Sequence, residues 1–250
     1  MRTVTSVRVI GSRDGQEDRY YMNPIRMHDI EGYLLAVFDG HNGEETAQYC
    51  RAHFANYFQP RNAVDVPDAL SRAIVRLSQK TRAFESGSTL SAVCVLEDLE
   101  GHHDIAVVAV LGDSPVIVRR EDGSVWTSTL HNVGTNEEER REAIANGAYF
   151  GFGYISMTLS GPGLQLSRAL GDAPFRSILS DTPEISVIES PAAVLVASDG
   201  IFNETYSDKD TMQELGKQLA EFEDANAVLN WRMHLGEKLR DNTTVLLWKR

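Results

Sequence analysis

Residues 34–43 read Leu-Leu-Ala-Val-Phe-Asp-Gly-His-Asn-Gly, and this stretch decides the fold. Its five apolar residues stop abruptly at Asp39, and a short turn separates them from a helical pattern. A brief apolar run bounded by turn residues is typical of a buried strand. The stretch therefore predicts a strand that delivers Asp39 and His41 to one rim of a sheet. Taken alone, Asp39-Gly40 is equally consistent with a plain hairpin turn.

The combination of an apolar run and a terminal carboxylate recurs at distant places in the chain. The further acidic sites are Glu17-Asp18 between two strand-like segments, Gly112-Asp113 after the run 105–111, Asp199-Gly200 after the run 193–198, and Asp241-Asn242 before the run 243–248. If these strands pair, their ends converge, and converging carboxylates repel one another unless cations hold them. Oxygen-rich sites of this kind suit Mg²⁺ or Mn²⁺. The pattern thus predicts a carboxylate metal centre.

Length and composition limit the class of protein. The 250 residues are 42% hydrophobic, which is enough for a packed core and too much for a disordered chain. A formal net charge of −12 argues against a nucleic-acid binder and against a polybasic membrane binder. No apolar run is long enough to span a membrane, and residues 1–7 lack the apolar core of a signal peptide. We therefore expect a cytoplasmic monomer that binds neither nucleic acid nor membrane.

The chain contains two cysteines, Cys50 in a helical pattern and Cys94 in a strand pattern. No pair has the Cys-x-x-Cys spacing of a metal or redox site. We interpret both as small buried residues in a reducing compartment.

The remaining sequence alternates between strand-like and helical stretches. Strands are predicted at 4–10, 19–22, 33–38, 90–96, 105–111, 116–119, 125–127, 185–188, 193–197 and 243–248, and helices at 44–58, 65–84, 136–146, 207–222 and 225–239. The strands within 90–127 read as an antiparallel meander. Together the elements predict an α+β fold, in which a central antiparallel β-sandwich is flanked by helix pairs on both faces in four α-β-β-α layers. Because no repeat, low-complexity tract or linker interrupts them, residues 1–250 are expected to form a single domain.

Seven short motifs occur in order between Gly11 and Leu247. They are Arg13 with Gln16-Glu17-Asp18, Asp39-Gly40-His41-Asn42-Gly43, Gly87-Ser88-Thr89, Gly112-Asp113-Ser114, Leu166-Ser-Arg-Ala-Leu-Gly-Asp172, Ser198-Asp199-Gly200-Ile201-Phe202, and Asp241-Asn242-Thr243-Thr244-Val245. Each motif alone is weak, but the ordered set is specific. Because it carries this ordered set of motifs, the chain resembles the metal-dependent Ser/Thr protein phosphatases of the 2C type, the PPM family.

The resemblance implies hydrolysis of phosphoserine and phosphothreonine by a hydroxide held between two Mg²⁺ or Mn²⁺ ions. It implies that Asp39 bridges both ions, that the carbonyl of Gly40 ligates one, and that Asp199 and Asp241 complete one ion's shell. Glu17 would bind through water, and Asp18 would orient a metal-bound water. Asp113 would belong to a third and weaker metal site. The implied partners are phosphoproteins of signalling pathways, kinases or kinase substrates.

Two more residues would act on the substrate, Arg13 by binding the phosphate and His41 as general acid. The chemistry agrees with these roles. An arginine offers a planar fork to two phosphate oxygens, and an alkoxide leaves poorly unless a donor with a pKa near neutral protonates it. Without the resemblance, Arg13 is an ordinary loop charge, His41 a structural histidine and Glu17-Asp18 a solvated pair. Neither cysteine lies in a phosphate-cradling loop, which disfavours a cysteine-based phosphatase.

Several positions depart from the family pattern. Asn42 stands where a second glycine is usual, although Asn tolerates a positive φ better than most residues. Asn203 stands where an aspartate often joins Asp113 at the third metal site, so we expect that site to be weak or absent. The segment 131–163 is the least family-like, and its glycine-rich part predicts a flap or a loose strand pair.

The other motif residues are interpreted as structural: the turn Gly87-Ser88-Thr89, the pair Ser167-Arg168, and Asp172. Two alternative functions stay open at this point. One is a catalytically inactive phosphatase-like domain that binds partners through the same fold. The other is a domain that hydrolyses small phosphoesters or regulates a partner stoichiometrically.

Overall fold

The computed structural model describes residues 2–27, 30–97, 104–202, 208–236 and 238–250. The strands are Thr3–Val9 (β1), Arg19–Met27 (β2), Ile30–Phe38 (β3), Gly40–His41 (β4), Gly87–Ser88 (β5), Leu90–Leu96 (β6), Ile105–Leu111 (β7), Val116–Arg120 (β8), Val125–Thr127 (β9), Tyr149–Gly151 (β10), Tyr154–Ser156 (β11), Leu170–Gly171 (β12), Glu184–Glu189 (β13), Pro191–Ala197 (β14) and Thr243–Lys249 (β15). The helices are Glu45–Tyr57 (α1), Val66–Thr81 (α2), Glu137–Ala145 (α3), Asp208–Gln218 (α4) and Ala225–His234 (α5). No helix in these ranges is both long and apolar enough to cross a membrane.

Two five-stranded antiparallel sheets form the centre of the fold. The first sheet has the strand order β13-β7-β6-β3-β2, and the second sheet has the order β1-β15-β14-β8-β9. The central strands pair in regular registers, as in the pairs Leu35 with Val93 and Leu195 with Leu247, and the pairing of β14 with β8 has an irregularity between Pro191 and Ala193. The predicted antiparallel β-sandwich is therefore confirmed.

Three apolar cores separate four layers. Helices α1 and α2 cover the outer face of the first sheet, where Phe38 packs with Phe54 and Leu70. Residues of the two sheets meet between them, including Leu35, Val93 and Trp248. Helices α4 and α5 cover the outer face of the second sheet, in a core that contains Leu195, Leu215, Val228 and Leu247. The layer order is α-β-β-α, as predicted.

The alternation of side chains along β3 explains its unbroken apolar sequence. Leu34, Ala36 and Phe38 belong to the helix-facing core, whereas Leu35 and Val37 belong to the core between the sheets. Successive side chains of a strand point to opposite faces, so a strand covered on both faces must be apolar throughout. Burial of each large apolar side chain contributes about 1.5–3 kcal/mol, and this stabilisation fixes the strand end that carries Asp39.

The predicted meander over 90–127 is wrong at its third strand. β6 pairs with β7 as expected, but β8 lies in the second sheet, where it pairs with β14 and β9. Residues 112–115 carry the chain across the sandwich, and Gly112 adopts a φ of +111° in this crossing. Strands that are buried on both faces have the same apolar pattern in either sheet, so the pattern does not assign them to one.

Some helix ends also differ from the prediction. Helix α5 ends at His234 instead of residue 239, and Gly236 follows with a φ of +84°, a backbone conformation that commonly ends helices. Helix α2 ends at Thr81 and α4 at Gln218, each a few residues early. Ser207, the expected start of α4, lies outside the described residues. Both cysteines are buried, as predicted.

Two small sheets complete the fold around the acidic strand ends. The hairpin β10-β11 realises the predicted loose strand pair, and its tip residue Phe152 is fully exposed. The second is a three-stranded ribbon in the order β12-β5-β4. In this ribbon His41 pairs with Gly87, and Gly87 pairs with Gly171. It therefore brings three of the sequence motifs side by side.

Candidate metal centre

The sequence-predicted site residues gather at one end of the sandwich. They line a cavity of about 250 Å³ and comprise Arg13, Glu17, Asp39, Gly40, His41, Asp113, Asp199 and Asp241. Asp18 is the exception, because its side chain is buried and does not reach the cavity wall. Asp39 follows β3 of the first sheet, whereas Asp199 follows β14 of the second. The expected convergence of acidic strand ends is therefore present.

Asp39 and Asp199 face each other across the gap between the sheets. The backbone of Asp39 is fixed by Thr89, whose hydroxyl accepts its N–H at 3.2 Å and whose N–H donates to its carbonyl at 2.9 Å. The N–H of Asp199 donates to Oδ2 of Asp39 at 3.4 Å. Burial, and then the neighbouring carboxylates, raise the pKa of both aspartates well above the usual value. Both sites therefore favour a bound positive charge.

Asp18 has one carboxylate oxygen bonded and one left over. Its Oδ2 accepts hydrogen bonds from the hydroxyls of Ser198 at 2.8 Å and Thr244 at 2.7 Å. Its buried Oδ1 has no hydrogen-bond partner among the described residues. Burial raises the pKa of Asp18 even though these two hydroxyl bonds act in the opposite direction. A buried, unpartnered carboxylate oxygen is suited to a water or cation that the protein itself does not supply.

Glu17 is held by backbone and amide groups. Its Oε1 accepts the N–H of Gly43 at 2.6 Å, and its own N–H donates to Oδ1 of Asn242 at 2.6 Å. The amide of Asn242 also donates to the carbonyls of Ile10 and Gly15. Asn242 therefore organises the loop that carries Arg13 and Glu17. The position of Asn242 in the motif Asp241-Asn242-Thr243-Thr244-Val245 does not by itself predict this role.

Arg13 and Asp241 form an ion pair within the cavity. The guanidinium Nη2 lies 2.5 Å from Oδ2 of Asp241, and the other oxygen, Oδ1, accepts the N–H of Asn242 at 2.7 Å. The pair is solvent-accessible, with 58% of the Arg13 side chain exposed. The resemblance assigns Arg13 to phosphate and Asp241 to metal, but in this structure the two side chains neutralise each other.

The donor set suits a hard divalent cation. No three acidic, histidine or cysteine side chains among the described residues already close around a single point. The acidic side chains of the cavity nevertheless offer carboxylate oxygens, the type of ligand that Mg²⁺ and Mn²⁺ prefer. The raised pKa values of Asp39 and Asp199 and the unpartnered oxygen of Asp18 all favour a bound cation at these carboxylates.

His41 is bonded to a residue that the sequence analysis treated as structural. Its Nε2 lies 2.7 Å from Oδ2 of Asp172, whose side chain is only 3% exposed. The interpretation of Asp172 as a mere brace is therefore incomplete. The sequence contains a signal for a role of Asp172 in the site, because Gly171-Asp172 repeats the glycine–aspartate pair of Gly112-Asp113.

Ser167 and Arg168, by contrast, behave as structural residues. The Ser167 hydroxyl donates to Oε2 of Glu139 at 2.6 Å, and Arg168 grips both oxygens of the same carboxylate at 3.0 and 2.6 Å. These bonds tie α3 to the strand that leads to Asp172. They lie outside the cavity lining.

The residues of the expected third metal site are only partly described. Asp113 lines the cavity, accepts a hydrogen bond from Asn132 at 2.8 Å, and has its pKa raised by burial. Asn203 lies outside the described residues. Asn42 adopts the expected positive φ, at +56°, and donates to the carbonyl of Glu85.

Comparisons with known proteins identify the family of this chain. The sequence model of the family described as Protein phosphatase 2C matches residues 3–229. A relative named Protein phosphatase fem-2, from Caenorhabditis elegans, is 31% identical over 221 residues, which cover 81% of this chain and 48% of the relative. The chain spans about half the length of the curated relatives it matches, with 46% and 54% in two Arabidopsis thaliana cases.

Solved structures share the fold over almost the whole chain. A sex-determining protein of C. elegans superposes with a TM-score of 0.76 at 27% identity, covering 99% of this chain and 64% of the other. The catalytic domain of the serine/threonine phosphatase PstP, described as a complex with two manganese ions, gives a TM-score of 0.61 at 19% identity. That alignment covers 99% of this chain and 97% of the other. At this identity the second likeness shows the fold alone.

Proposed function

This chain belongs to the protein phosphatase 2C family, a family of serine/threonine phosphatases, and we propose that it hydrolyses phosphoserine and phosphothreonine esters in proteins. The observation that carries the proposal is the cavity in which Arg13, His41 and the acidic strand ends meet. The natural substrates would be signalling phosphoproteins, such as kinases or proteins that kinases modify. We also propose that residues 1–250 act as one domain, since the core between the sheets and the core under α4 and α5 both join β1 with β15.

Two Mg²⁺ or Mn²⁺ ions are proposed to bind at the acidic strand ends. Asp39, the carbonyl of Gly40, Asp199 and Asp241 would hold them directly, and Glu17 and Asp18 would act through water. When bound, the ions supply positive charge to phosphoryl oxygens and lower the pKa of water. The structural neighbour PstP is described as a complex with two manganese ions, and we propose the same number and class of ions for this chain. A third, weaker site would include Asp113.

Arg13 is proposed to bind the phosphoryl group of the substrate. Its guanidinium donates to Asp241 in this structure and lines the cavity. It would therefore exchange the Asp241 carboxylate for the phosphoryl group of a substrate bound in the same cavity. A carboxylate and a phosphate each present a pair of oxygen atoms, and the planar guanidinium can donate two parallel N–H bonds to either pair. This exchange would also release the Oδ2 atom of Asp241.

His41 is proposed to give its proton to the departing oxygen of serine or threonine. In the reaction, a bond forms between water oxygen and phosphorus while the ester oxygen–phosphorus bond breaks. The ester oxygen takes the proton of His41, and the attacking water gives up a proton that solvent returns to His41. The products are inorganic phosphate and a free hydroxyl. Proton donation of this kind contributes about 10²- to 10⁴-fold to rate. The partly exposed ring of His41 lines the cavity, which supports this proposed role.

The test is hydrolysis of a phosphothreonine peptide with Mn²⁺, with and without EDTA. Turnover should need Mn²⁺ and should be lost in Asp199→Asn. Glu221→Gln removes one negative charge from an exposed position in the C-terminal part of the chain and should behave as wild type. Absence of turnover from folded wild-type protein at every Mn²⁺ concentration would refute the proposal and favour the partner-binding alternative. Turnover of a small aryl phosphate but of no phosphopeptide would restrict the activity to small esters.

A further inference from the structure

We propose that Asp172 is a positioning residue for His41, and that it selects the ring nitrogen from which the proton leaves. The inference rests on the proposed function, because it assigns a partner to the proposed general acid. It starts from the contact between Nε2 of His41 and Oδ2 of Asp172, at 2.7 Å. The carboxylate of this pair is buried, whereas 25% of the histidine side chain is exposed.

The small ribbon β12-β5-β4 is built so that these two side chains meet. Gly87 lies between His41 and Gly171 in the ribbon's register. A Cβ atom at Gly87 would lie 2.1 Å from Nε2 of His41 and 2.1 Å from Oδ2 of Asp172. The backbone of Gly87 therefore lies directly against the contact, and any side chain there would occupy its space. This close approach explains why the motif Gly87-Ser88-Thr89 begins with a glycine.

The backbone around Asp172 is fixed in an uncommon conformation. Asp172 has a φ of +50°, which few residues other than glycine adopt. Its N–H donates to the carbonyl of Ser86 at 3.0 Å, and the next N–H, of Ala173, donates to Phe84 at 2.9 Å. Backbone strain that is held by surrounding bonds concentrates at functional sites. Here it turns the carboxylate toward His41.

The contact determines how the imidazole carries its protons. An ionised carboxylate only accepts hydrogen bonds, so Nε2 must be the protonated nitrogen of the neutral ring. Nδ1 has no hydrogen-bond partner among the described residues, and His41 lines the cavity. In the protonated ring, Nε2–H stays with Asp172 and Nδ1–H is the proton available to the leaving oxygen. A carboxylate behind a histidine fixes both its tautomer and its orientation.

Leaving-group dependence separates this role from a purely structural one. A phosphothreonine peptide releases an alkoxide that needs a proton, whereas an aryl phosphate such as p-nitrophenyl phosphate releases a stable phenolate. Asp172→Asn should therefore lower kcat for the peptide about tenfold or more and change kcat for the aryl phosphate by less than about threefold. The double variant with His41→Gln should be no slower than His41→Gln alone. Equal losses on both substrates would overturn the proposal.

A spectroscopic measurement tests the contact without any turnover. The chain has seven histidines, and His41→Gln identifies the His41 signals in the ¹⁵N spectrum of histidine-labelled protein. In EDTA the neutral wild-type ring should show the proton on Nε2, and both Asp172→Asn and Asp172→Ala should lower that population. An unchanged tautomer in Asp172→Ala would overturn the proposal. If wild type turns over neither substrate, the proposed function fails, and the spectra then decide alone whether Asp172 sets the protonation of His41.

Discussion

The guanidinium of Arg13 donates a hydrogen bond to the carboxylate of Asp241 across 2.5 Å. Arg13, the proposed phosphate ligand, is therefore hydrogen-bonded to Asp241, a proposed metal ligand. Both interactions draw on the negative charge of Asp241, so we expect them to compete. Cation binding and phosphate binding should consequently favour each other, because each draws one member out of the ion pair.

Arg13→Gln is predicted to tighten Mn²⁺ binding when no phosphate is present. The lost ion pair is solvent-exposed, and exposed pairs contribute about 0–1 kcal/mol, so the Kd for Mn²⁺ should fall by no more than about fivefold. The same variant should raise KM for a phosphopeptide. Isothermal titration with Mn²⁺ and steady-state kinetics measure the two effects. Arg51→Gln removes an equal charge from an exposed position of α1 and should change neither. Weaker Mn²⁺ binding in Arg13→Gln would contradict the competition between Arg13 and the metal for Asp241.

Much of this site is predictable from the sequence because the acidic residues follow apolar strands. Asp39 and Asp199 each end an apolar run, and buried runs pair into sheets whose ends lie together. This physical link needs no knowledge of the sheet order. It fails where the same pattern fits two sheets, as for β8. Its residues Val116, Ile117 and Val118 are buried, and the strand lies in the second sheet instead of beside β7.

Contacts made through short polar turns could not be predicted in the same way. The pairing of His41 with Asp172 depends on the register of three two-residue strands, and such strands carry no periodicity. The engagement of Arg13 by Asp241 depends on the path of a loop that Asn242 holds. Glycine restrictions are likewise invisible until the neighbouring atoms are known, as at Gly87.

Asp39→Asn is predicted to raise thermal stability in EDTA while it removes stabilisation by Mn²⁺. Burial and the facing carboxylates raise the pKa of Asp39, so its charged form is disfavoured in the folded state. For wild type, a ligand present at 100 times its Kd adds about 2.7 kcal/mol, and this increment should disappear in the variant. Differential scanning calorimetry with EDTA and with Mn²⁺ measures both effects. Glu221→Gln serves as the charge-matched control.

The pH dependence of the Asp39→Asn effect has a definite sign. A carboxyl whose folded pKa is raised contributes stability below its unfolded pKa, about 3.9, and loses it as the pH rises through the folded pKa. In EDTA, the advantage of Asp39→Asn over wild type should therefore grow as the pH rises from about 4. A constant difference across that range would show that the charge of Asp39 is not destabilising.

Arg168→Met is predicted to destabilise the fold by about 3–5 kcal/mol at neutral pH, the usual effect of leaving one member of a buried ion pair alone. The Arg168 and Glu139 side chains are only 18% and 6% exposed, and the guanidinium grips both carboxylate oxygens. Chemical denaturation at pH 7 measures the loss. Arg141→Met removes the same charge from an exposed position of α3 and should change stability by less than about 0.5 kcal/mol.

The Arg168→Met deficit should shrink in acid. Burial alone would raise the pKa of Glu139, but the bonds from Arg168 and Ser167 outweigh it and hold the pKa below its usual value. A carboxyl with a lowered folded pKa contributes stability above its unfolded pKa, about 4.3, and loses it as the pH falls through the folded pKa. Wild type therefore loses this contribution in acid, whereas the variant has none to lose. A deficit that stays constant down to pH values below about 4 would exclude the ion pair as its cause.

Gly87→Ala is predicted to destabilise the protein by about 1–3 kcal/mol, the typical effect of an added methyl group in a filled site. Its Cβ would lie 2.1 Å from both His41 and Asp172, so the two side chains must separate. The variant should therefore also slow the phosphothreonine peptide more than an aryl phosphate, as Asp172→Asn does. Gly151→Ala adds the same methyl where no atom lies within 4 Å and should leave stability and both rates near wild type. Equal kinetic losses on both substrates in Gly87→Ala would mean that the added methyl group disturbs the wider site and not the contact between His41 and Asp172.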